Sequence, residues 1–501
     1  MMPRNENLSN PGLCFTSGRN DPVWTQTNPY ASWPIFNKLA QDLETHTVVI
    51  GAGFAGVSTA YELIQRGVKV VLLEAREVTS GESGRSNGSL SACLGMKWAD
   101  LIKRHGIENA KQVYNSHCFA IDRVEDIVRN HGIDCDYRKL ACRIFCGSEE
   151  NVTHEVEAYS SLEGQKNLVC ENGEITVRNQ AVFHPTKYVH AVLREMASQN
   201  PELFSCYTQT RVKIYKAVGN GVVLTMEEGH SIKATNMIMT VGAPVQGYPD
   251  IQVNAASHPD ENLKYLIVTG GKHKTGHINS KGYDSYFERL QDWTSSNFPT
   301  ANREPDYRWS SQIIDSNDHL PYIGREKPGK NIFVITGSSG SLTYGLIGAK
   351  IIADQITGVP NPWEAVYDAS RIPKSKLFGG GIEKIHLEEL VQKSREERTY
   401  ITDIEDLPLC EGTIMLRNNE KDGMPLAVWK DKEGKTRTFT AVCPHAYGIL
   451  VWNGEEQTFD CPLHGSRFDA ETGRCVSGPA NRGLTTHDEA AKEAAAASVQ
   501  L

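Results

Sequence analysis

Short apolar runs alternate with helical spacings through most of the chain. The first clear unit is Thr47-Val48-Val49-Ile50, followed at once by Gly51-Ala52-Gly53-Phe54-Ala55-Gly56. Ala60, Leu63 and Ile64 then recur at helical spacing, Gly67 ends the helix, and Val68 to Leu73 reads as a second strand closed by Glu74. Such alternation continues over residues 41–375 and predicts a mixed α/β domain. Near its end, Leu346, Ile347, Ala349, Ile351 and Ile352 supply apolar faces to a helix over about Thr343 to Thr357. Ahead of it, residues 1–40 carry Pro11, Pro22, Pro29 and Pro34 among Trp24, Tyr30, Trp33 and Phe36. The prolines argue against a helix and for an arm laid over a surface. Behind it, the pattern loosens at Gly379-Gly380-Gly381, and the charged stretch Ile382 to Arg398 predicts a linker helix over 376–399. Residues 400–485 read as short strands between turns such as Lys421-Asp422-Gly423 and Lys432-Glu433-Gly434, an all-β module. A Glu/Ala-rich tail, 486–501, follows.

Length changes the picture first: 501 residues exceed one core, and at roughly 150 per domain about three lobes are expected. The longest apolar stretch, Val48 to Ser58, is broken by glycines and falls short of the ~18 residues of a membrane span, so no membrane partner is expected. With 52 basic against 61 acidic residues and no dense Lys/Arg block, the chain lacks the cationic footprint of a nucleic-acid binder. Met1 to Asn10 is polar, unlike a secretory signal, and twelve cysteines are too sparse for a disulfide scaffold. A reducing, cytoplasmic location is the expectation.

Strand, glycine turn, helix, strand and terminal acid in this order are the parts of a dinucleotide site. Gly51 allows the tight turn, Gly53 lets the backbone approach a pyrophosphate, and Gly56 lets helix and strand pack closely. The helix N-terminus offers N–H groups and partial positive charge to that pyrophosphate. Glu74, 23 residues after Gly51, is placed to accept ribose hydroxyls.

Beyond Glu74 the chain reads Ala75-Arg76 and then Ser80-Gly81-Glu82-Ser83-Gly84-Arg85-Ser86-Asn87-Gly88. This resembles the FAD-dependent D-amino-acid oxidase superfamily, which includes sarcosine, glycine and γ-glutamylputrescine oxidases. The resemblance implies that Gly51, Gly53, Phe54, Ala55, Gly56, Glu74 and Arg76 form the nucleotide turn. It implies that Ser83, Arg85, Ser86, Asn87 and Gly88 contact FAD. Thr210-Arg211-Val212 is similar to the strand whose valine meets the adenine, and Ile238 to Ala243, with Gly242, to the strand and turn returning to the nucleotide. Phe333 to Gly345, with Gly337, Gly340, Leu342 and Thr343, is similar to the last strand, loop and helix start at the flavin ring. The likeness spans about residues 25–375.

The same family implies a Rossmann-like FAD-binding part (about 41–100, 180–245 and 320–375). An interleaved α+β substrate part (about 100–180 and 245–320) forms a sheet over the flavin. Lys274, in the Lys272 to His277 segment after the run Tyr265 to Thr269, corresponds to a lysine that assists oxygen reduction and is the catalytic candidate. Without a cysteine in Tyr307 to Gly324 or a histidine in Gly81 to Gly88, non-covalent FAD is expected.

The sharpest motif lies at the back: Cys443-Pro444-His445, 15 intervening residues, then Cys461-Pro462-Leu463-His464. Paired thiolates and imidazoles suit zinc or a Rieske [2Fe–2S] centre. Zinc fingers usually pair like with like. One Cys and one His on each loop suits a cluster with one iron on two thiolates and the other on two imidazoles. Cys461 to Asp469 followed by Gly478-Pro479-Ala480 resembles a Rieske domain throughout residues 400–485. That resemblance implies Cys443, His445, Cys461 and His464 as ligands and a Ser466 hydrogen bond toward the cluster sulfur. Gly448 stands where respiratory members carry a disulfide cysteine, so no disulfide is implied.

Together these imply an enzyme, an FAD-dependent oxidoreductase that oxidises a C–N bond of an amine or amino acid to an imine. Its electrons would be relayed through the Rieske cluster to an acceptor protein or to oxygen. The alternative is an electron-transfer protein serving another oxidoreductase or oxygenase, although no second glycine fingerprint for NAD(P)H is visible. A self-contained oxygenase would need a mononuclear iron site, for which the residues offer no candidate.

Overall fold

The computed structural model describes residues 18, 20–92, 97–144, 149–163, 168–171, 174–240, 252–257, 264–277, 282–313, 315–316, 318–338, 340–371, 404–415 and 425–486. Two compact units emerge: a larger one, Asp21–His273 with Asp284–Gly381, and a smaller one, Met1–Asn20 with Lys274–Tyr283 and Ile382–Leu501. The linker helix expected over 376–399, the tail 487–501 and Gly242 lie outside the described residues.

The larger unit is organised by one mixed sheet. Its strands are β1 (Leu43–Ile50), β2 (Val70–Leu73), β3 (Phe204–Tyr207), β4 (Val212–Val218), β5 (Gly221–Met226), β6 (Ser231–Met239), β7 (Tyr322–Arg325) and β8 (Ile332–Thr336). The order is β7-β8-β6-β1-β2-β3, with the β4–β5 hairpin joined to β6. β1 lies parallel between β6 and β2, with Val48 opposite Met237 and Val71. Both of its faces are covered, so Val48 and Val49 are 0% exposed, as a central parallel strand requires. One face packs on the helices Phe54–Ile64, Pro185–Gln199 and Thr343–Thr357, through Val57, Leu63, Val192, Leu346 and Ile351. The other face packs Val48, Val71 and Leu73 on Val222 and Leu224 of the hairpin.

A second, antiparallel sheet joins Ser89–Leu90, Arg138–Ile144, Leu168–Glu171 and Glu174–Val182, and a separate pair joins Gln252–Ser257 to Lys264–Thr269. The chain thus forms the mixed α/β fold expected, with strands from the intervening segments. The arm departs from expectation. Val23–Thr27 is a short helix and Tyr30–Ser32 a 3-10 turn. The prolines do not prevent this, because Pro22 and Pro29 stand at the N-cap positions, before the first helical N–H is needed.

In the smaller unit, two antiparallel sheets stack short strands: Gly412–Met415, Leu426–Lys430 and Thr436–Thr440 in one, and Val451–Asn453, Thr458–Asp460, Arg467–Asp469 and Cys475–Ser477 in the other. Their shared core is Ile414, Ala427, Phe439, Phe459 and Phe468. Among the described residues no helix is long and apolar enough to cross a membrane.

Candidate cofactor sites

In the larger unit the end of β1 turns at Gly51, whose φ of +104° only glycine adopts without strain. Gly51 N–H donates to the Leu73 carbonyl at 2.8 Å, which draws the turn against β2. A Cβ on Gly56 would overlap the Gly51 carbonyl oxygen and come within 2.8 Å of Thr240 Oγ1, so helix and strand approach as closely as the three-glycine pattern requires. Gly53 occupies the N-cap position of the helix Phe54–Ile64 and provides no side-chain cap. Phe54 N–H donates to Ser83 Oγ at 2.9 Å, while Glu74 accepts from Ala52 N–H and Arg76 N–H, both at 2.9 Å. The carboxylate therefore sits directly beside the turn. A backbone stripped of Cβ atoms at a helix N-terminus, with an acid at the end of the next strand, fits a dinucleotide.

The loop after Glu74 is tightly held. Ser86 Oγ donates to Ser83 O at 3.0 Å, and Glu82 accepts from Ser311 Oγ at 2.8 Å and Gln312 N–H at 2.7 Å. Arg85 is 2% exposed, with Nε donating to the Ser310 carbonyl. Asn87 Oδ1 accepts from Ser89 Oγ at 2.8 Å, and Phe183 N–H donates to the Gly88 carbonyl at 2.9 Å. Val212 opens β4 opposite Met226. Gly337 and Gly340 lie between β8 and the helix Thr343–Thr357, which has the bounds expected. Leu342, its N-cap residue, gives that helix no side-chain cap, and Thr343 Oγ1 accepts from Ser91 N–H at 3.2 Å.

Three further polar residues, Asp318, Arg308 and His184, are bonded within the larger unit. Asp318 accepts both Nε and Nη2 of Arg371 at 2.9 and 3.0 Å. Arg371 also donates to the carbonyls of Leu320, Pro321, Tyr367 and Asp368, and the guanidinium holds the Asp318 carboxyl below its ordinary range against the opposing effect of burial. Arg308 pairs with Asp284 at 3.1 Å on the surface. His184 is buried at the N-cap of Pro185–Gln199 and accepts from Lys187 N–H.

In the smaller unit each Cys–His pair is presented by a closed turn. Cys443 N–H donates to Gly448 O at 2.9 Å, and Cys461 N–H to Ser466 O at 2.7 Å. The two turns press together at Gly448, where a Cβ would lie 2.7 Å from Leu463 Cδ1 and 3.2 Å from Cys461 Sγ. Cys443 and Cys461 are both 0% exposed, and their sulfurs hydrogen-bond each other. That bond from Cys461, with N–H groups of His445 and Ala446 and the Ser466 hydroxyl, lowers the Cys443 thiol to about 6 despite burial. The Cys461 thiol is correspondingly pushed up by donating to Cys443 and by burial. The imidazoles of His445 and His464 stand edge to face, with centroids 4.9 Å apart. His464 Nδ1 is buried without a hydrogen-bond partner, the signature of a lone pair reserved for a metal. His445 is exposed, so the imidazole side of the site faces the surface of this unit.

Two thiols in contact and two imidazoles in contact are the donor set of a cluster with two protein ligands on each iron. Among the described residues no three or more His, Cys, Asp or Glu converge as a single ion would need. Ser466 is 0% exposed and its Oγ also accepts from Ala480 N–H at 3.2 Å, which fixes the hydroxyl that reaches Cys443. Below the turns, Asp460 and Arg467 form a buried pair at 3.1 Å, with Thr458 and Asn453 also bonded to Asp460. Sequence reasoning missed this pair, since nothing in its spacing marks it as buried.

Lys274 and its neighbours group with this unit. Burial lowers the Lys274 ammonium, and the charge on Cys461 opposes that shift. His277 Nε2 lies 3.2 Å from the Pro462 carbonyl, and Gly276 packs so closely that a Cβ would be 2.7 Å from Pro462 Cα.

Comparison with known proteins finds relatives of both parts of the chain. A Bacillus subtilis protein described as a putative Rieske 2Fe-2S iron-sulfur protein, YhfW, is 26% identical over 504 residues, covering 91% of this chain and 96% of its own. A probable oxidoreductase of Haemophilus influenzae, OrdL, is 36% identical over 401 residues, covering 70% of this chain and 90% of its own. The structure of L-amino acid deaminase from Proteus myxofaciens superposes with a TM-score of 0.54 at 14% identity, covering 68% of this chain and 96% of that one, a likeness of fold. The family model described as FAD dependent oxidoreductase, DAO, matches residues 46–355, and that of the Rieske [2Fe-2S] domain matches residues 398–488. The chain therefore belongs to the DAO family of FAD dependent oxidoreductases and carries a C-terminal Rieske domain, its cofactors being FAD and a [2Fe–2S] cluster.

Proposed function

We propose that the protein oxidises a C–N bond of an amine or amino acid to an imine and relays the electrons through its Rieske centre to an acceptor. One observation carries the reading: a single chain holds both the glycine turn of an FAD-dependent oxidoreductase and a complete two-cysteine, two-histidine ligand set. When bound, FAD supplies a two-electron acceptor and the cluster a one-electron carrier. The polypeptide binds and orients. Gly51 to Gly56 and Glu74 hold the pyrophosphate and ribose. Arg76, Ser83 to Gly88 and Val212 enclose the rest of the dinucleotide. Gly337, Gly340, Leu342 and Thr343 meet the ring, where a helix N-terminus favours negative charge. Cys443 and Cys461 hold one iron, His445 and His464 the other. The shared fold with an L-amino acid deaminase supports an amino-acid substrate. Lys274 is retained as the candidate that assists oxygen reduction, to be tested by the rate of flavin reoxidation in Lys274→Met.

The deciding experiment is anaerobic mixing of purified holoprotein with a panel of amines and amino acids, followed by visible absorbance. Bleaching of the flavin band and then of the cluster bands by one substrate class is expected. A panel with no bleaching, or zinc instead of two irons per chain, would overturn the proposal.

A further inference from the structure

The family match begins at residue 46, yet the arm from Asp21 onward belongs to the larger unit. Trp24 is 3% exposed, clustered with Val23 and Ile267 and flanked by Tyr265, Tyr307 and Trp309. Its indole Nε1 donates to the Ser86 carbonyl at 2.8 Å. From another part of the chain, Trp309 Nε1 donates to the Arg85 carbonyl at 2.9 Å. Two indoles thus hold two consecutive carbonyls of one loop.

A trans peptide is planar, and its carbonyl and the following N–H point in opposite directions. Holding the oxygens of Arg85 and Ser86 therefore fixes two successive peptide planes, and with them the directions of the Ser86 and Asn87 N–H groups, each pointing away from the indole that holds its own peptide. Trp24 also constrains the end of the loop. Gly88 has φ +71°, and a Cβ there would lie 2.9 Å from Trp24 Cζ2 and 2.6 Å from the Phe183 carbonyl. The arm is pinned from behind: Thr27 Oγ1 meets His184 Nε2 at 2.7 Å, and Asn28 Nδ2 meets Thr186 Oγ1 and His190 Nδ1, both at 3.0 Å. Thr79 Oγ1, from the chain between Glu74 and the loop, meets the other nitrogen of His190 at 2.9 Å. The arm and the segment leading into the loop are thus bonded to the same imidazole.

We propose that Trp24 and Trp309 are positioning residues for FAD: their indole N–H groups set two successive peptide planes within the Ser83–Gly88 loop, and so the directions in which its backbone N–H groups point. The inference rests on the reading that this loop contacts FAD. It extends the FAD site to an arm that lies outside the family match.

The test uses Trp24→Phe and Trp309→Phe in the full chain. Each keeps an aromatic ring and deletes one donor. FAD is removed and titrated back by flavin fluorescence, beside Ser83→Ala and Asn87→Ala as loop controls. Losing one neutral hydrogen bond predicts a rise in FAD Kd of about fivefold for each Phe variant. The double variant should lose more FAD affinity than either; the FAD-free chain should melt only slightly lower, since a buried carbonyl loses its donor, and the visible spectrum of the cluster should stay as in the parent. Trp24→His, which retains a ring N–H, should recover part of the affinity. It also serves in place of Trp24→Phe should that variant fail to fold. Loop controls that weaken FAD while both Trp variants keep the parental Kd would overturn the inference. Loop controls that leave the Kd unchanged would overturn the reading of the loop itself and, with it, this proposal.

Discussion

Acidification should unfold the flavin-binding unit well before its carboxylates are protonated. His117, His184 and His190 are 0%, 2% and 1% exposed. Burial disfavours the imidazolium, lowering His117 to about 4 and both His184 and His190 to about 3, with Lys187 adding to the effect on His184 and Arg194 to that on His190. In the unfolded chain a histidine titrates near 6.5. The folded values lie below that, so the unfolded state binds more protons throughout the interval. The contribution is complete above about pH 6.5 and is lost as pH falls from there toward the folded values. At about pH 5 each histidine favours unfolding by about 2 kcal/mol, and the three together by about 6 kcal/mol. A domain's whole stability is about 5–15 kcal/mol, so this is enough to bring the unit close to its unfolding midpoint.

The measurement is urea denaturation at steps from about pH 8 to about pH 5, followed by tryptophan fluorescence and FAD release, with proton uptake read from the slope of stability against pH. Three protons should be taken up on unfolding below about pH 6, and His184→Gln or His190→Gln should each remove about one. A denaturation midpoint that stays flat across this range, or a slope the substitutions leave untouched, would refute the reasoning.

Other expectations follow from single contacts. Gly56→Ala forces a methyl toward Thr240 Oγ1, 2.8 Å away, and against the Gly51 carbonyl; it should cost roughly 1–3 kcal/mol and strip FAD, read from the flavin content of purified protein. Ser466→Ala removes the hydroxyl that reaches Cys443 and should lower the cluster's midpoint potential while iron content stays unchanged, measured by redox titration with EPR. His464→Ala should release iron, because its buried Nδ1 has no other partner, and metal analysis would detect the loss. Arg371→Ala strands the Asp318 carboxylate and four carbonyls; about 3 kcal/mol of stability should go, seen as a lower melting temperature of the flavin-binding unit.

Local chemistry made both candidate cofactor sites legible in the sequence. The turn Gly51 to Gly56 works through its own backbone, so its glycines carry their meaning wherever the rest of the chain goes. The same holds for Cys443-Pro444-His445 and Cys461-Pro462-Leu463-His464, where each turn presents its own two candidate ligands. The helix Thr343–Thr357 could be bounded because its apolar period is long and unbroken. The arm could not, since prolines that break a helix interior are harmless at its N-cap.

Tertiary structure decided what depends on contacts between distant segments. Nothing in the spacing of Trp24 and Trp309 says that both indoles reach adjacent carbonyls of one loop. Nor does it say that His184 and His190 are buried against the arm, or that Asp460 and Arg467 pair under the ligand turns. Lys274 shows the same limit, for its grouping with the Rieske ligands is a property of the folded chain. A motif carries its conformation in its own few residues and their backbone hydrogen bonds. A side chain's partner, burial and charge state are set by whichever remote residues the packed core brings beside it.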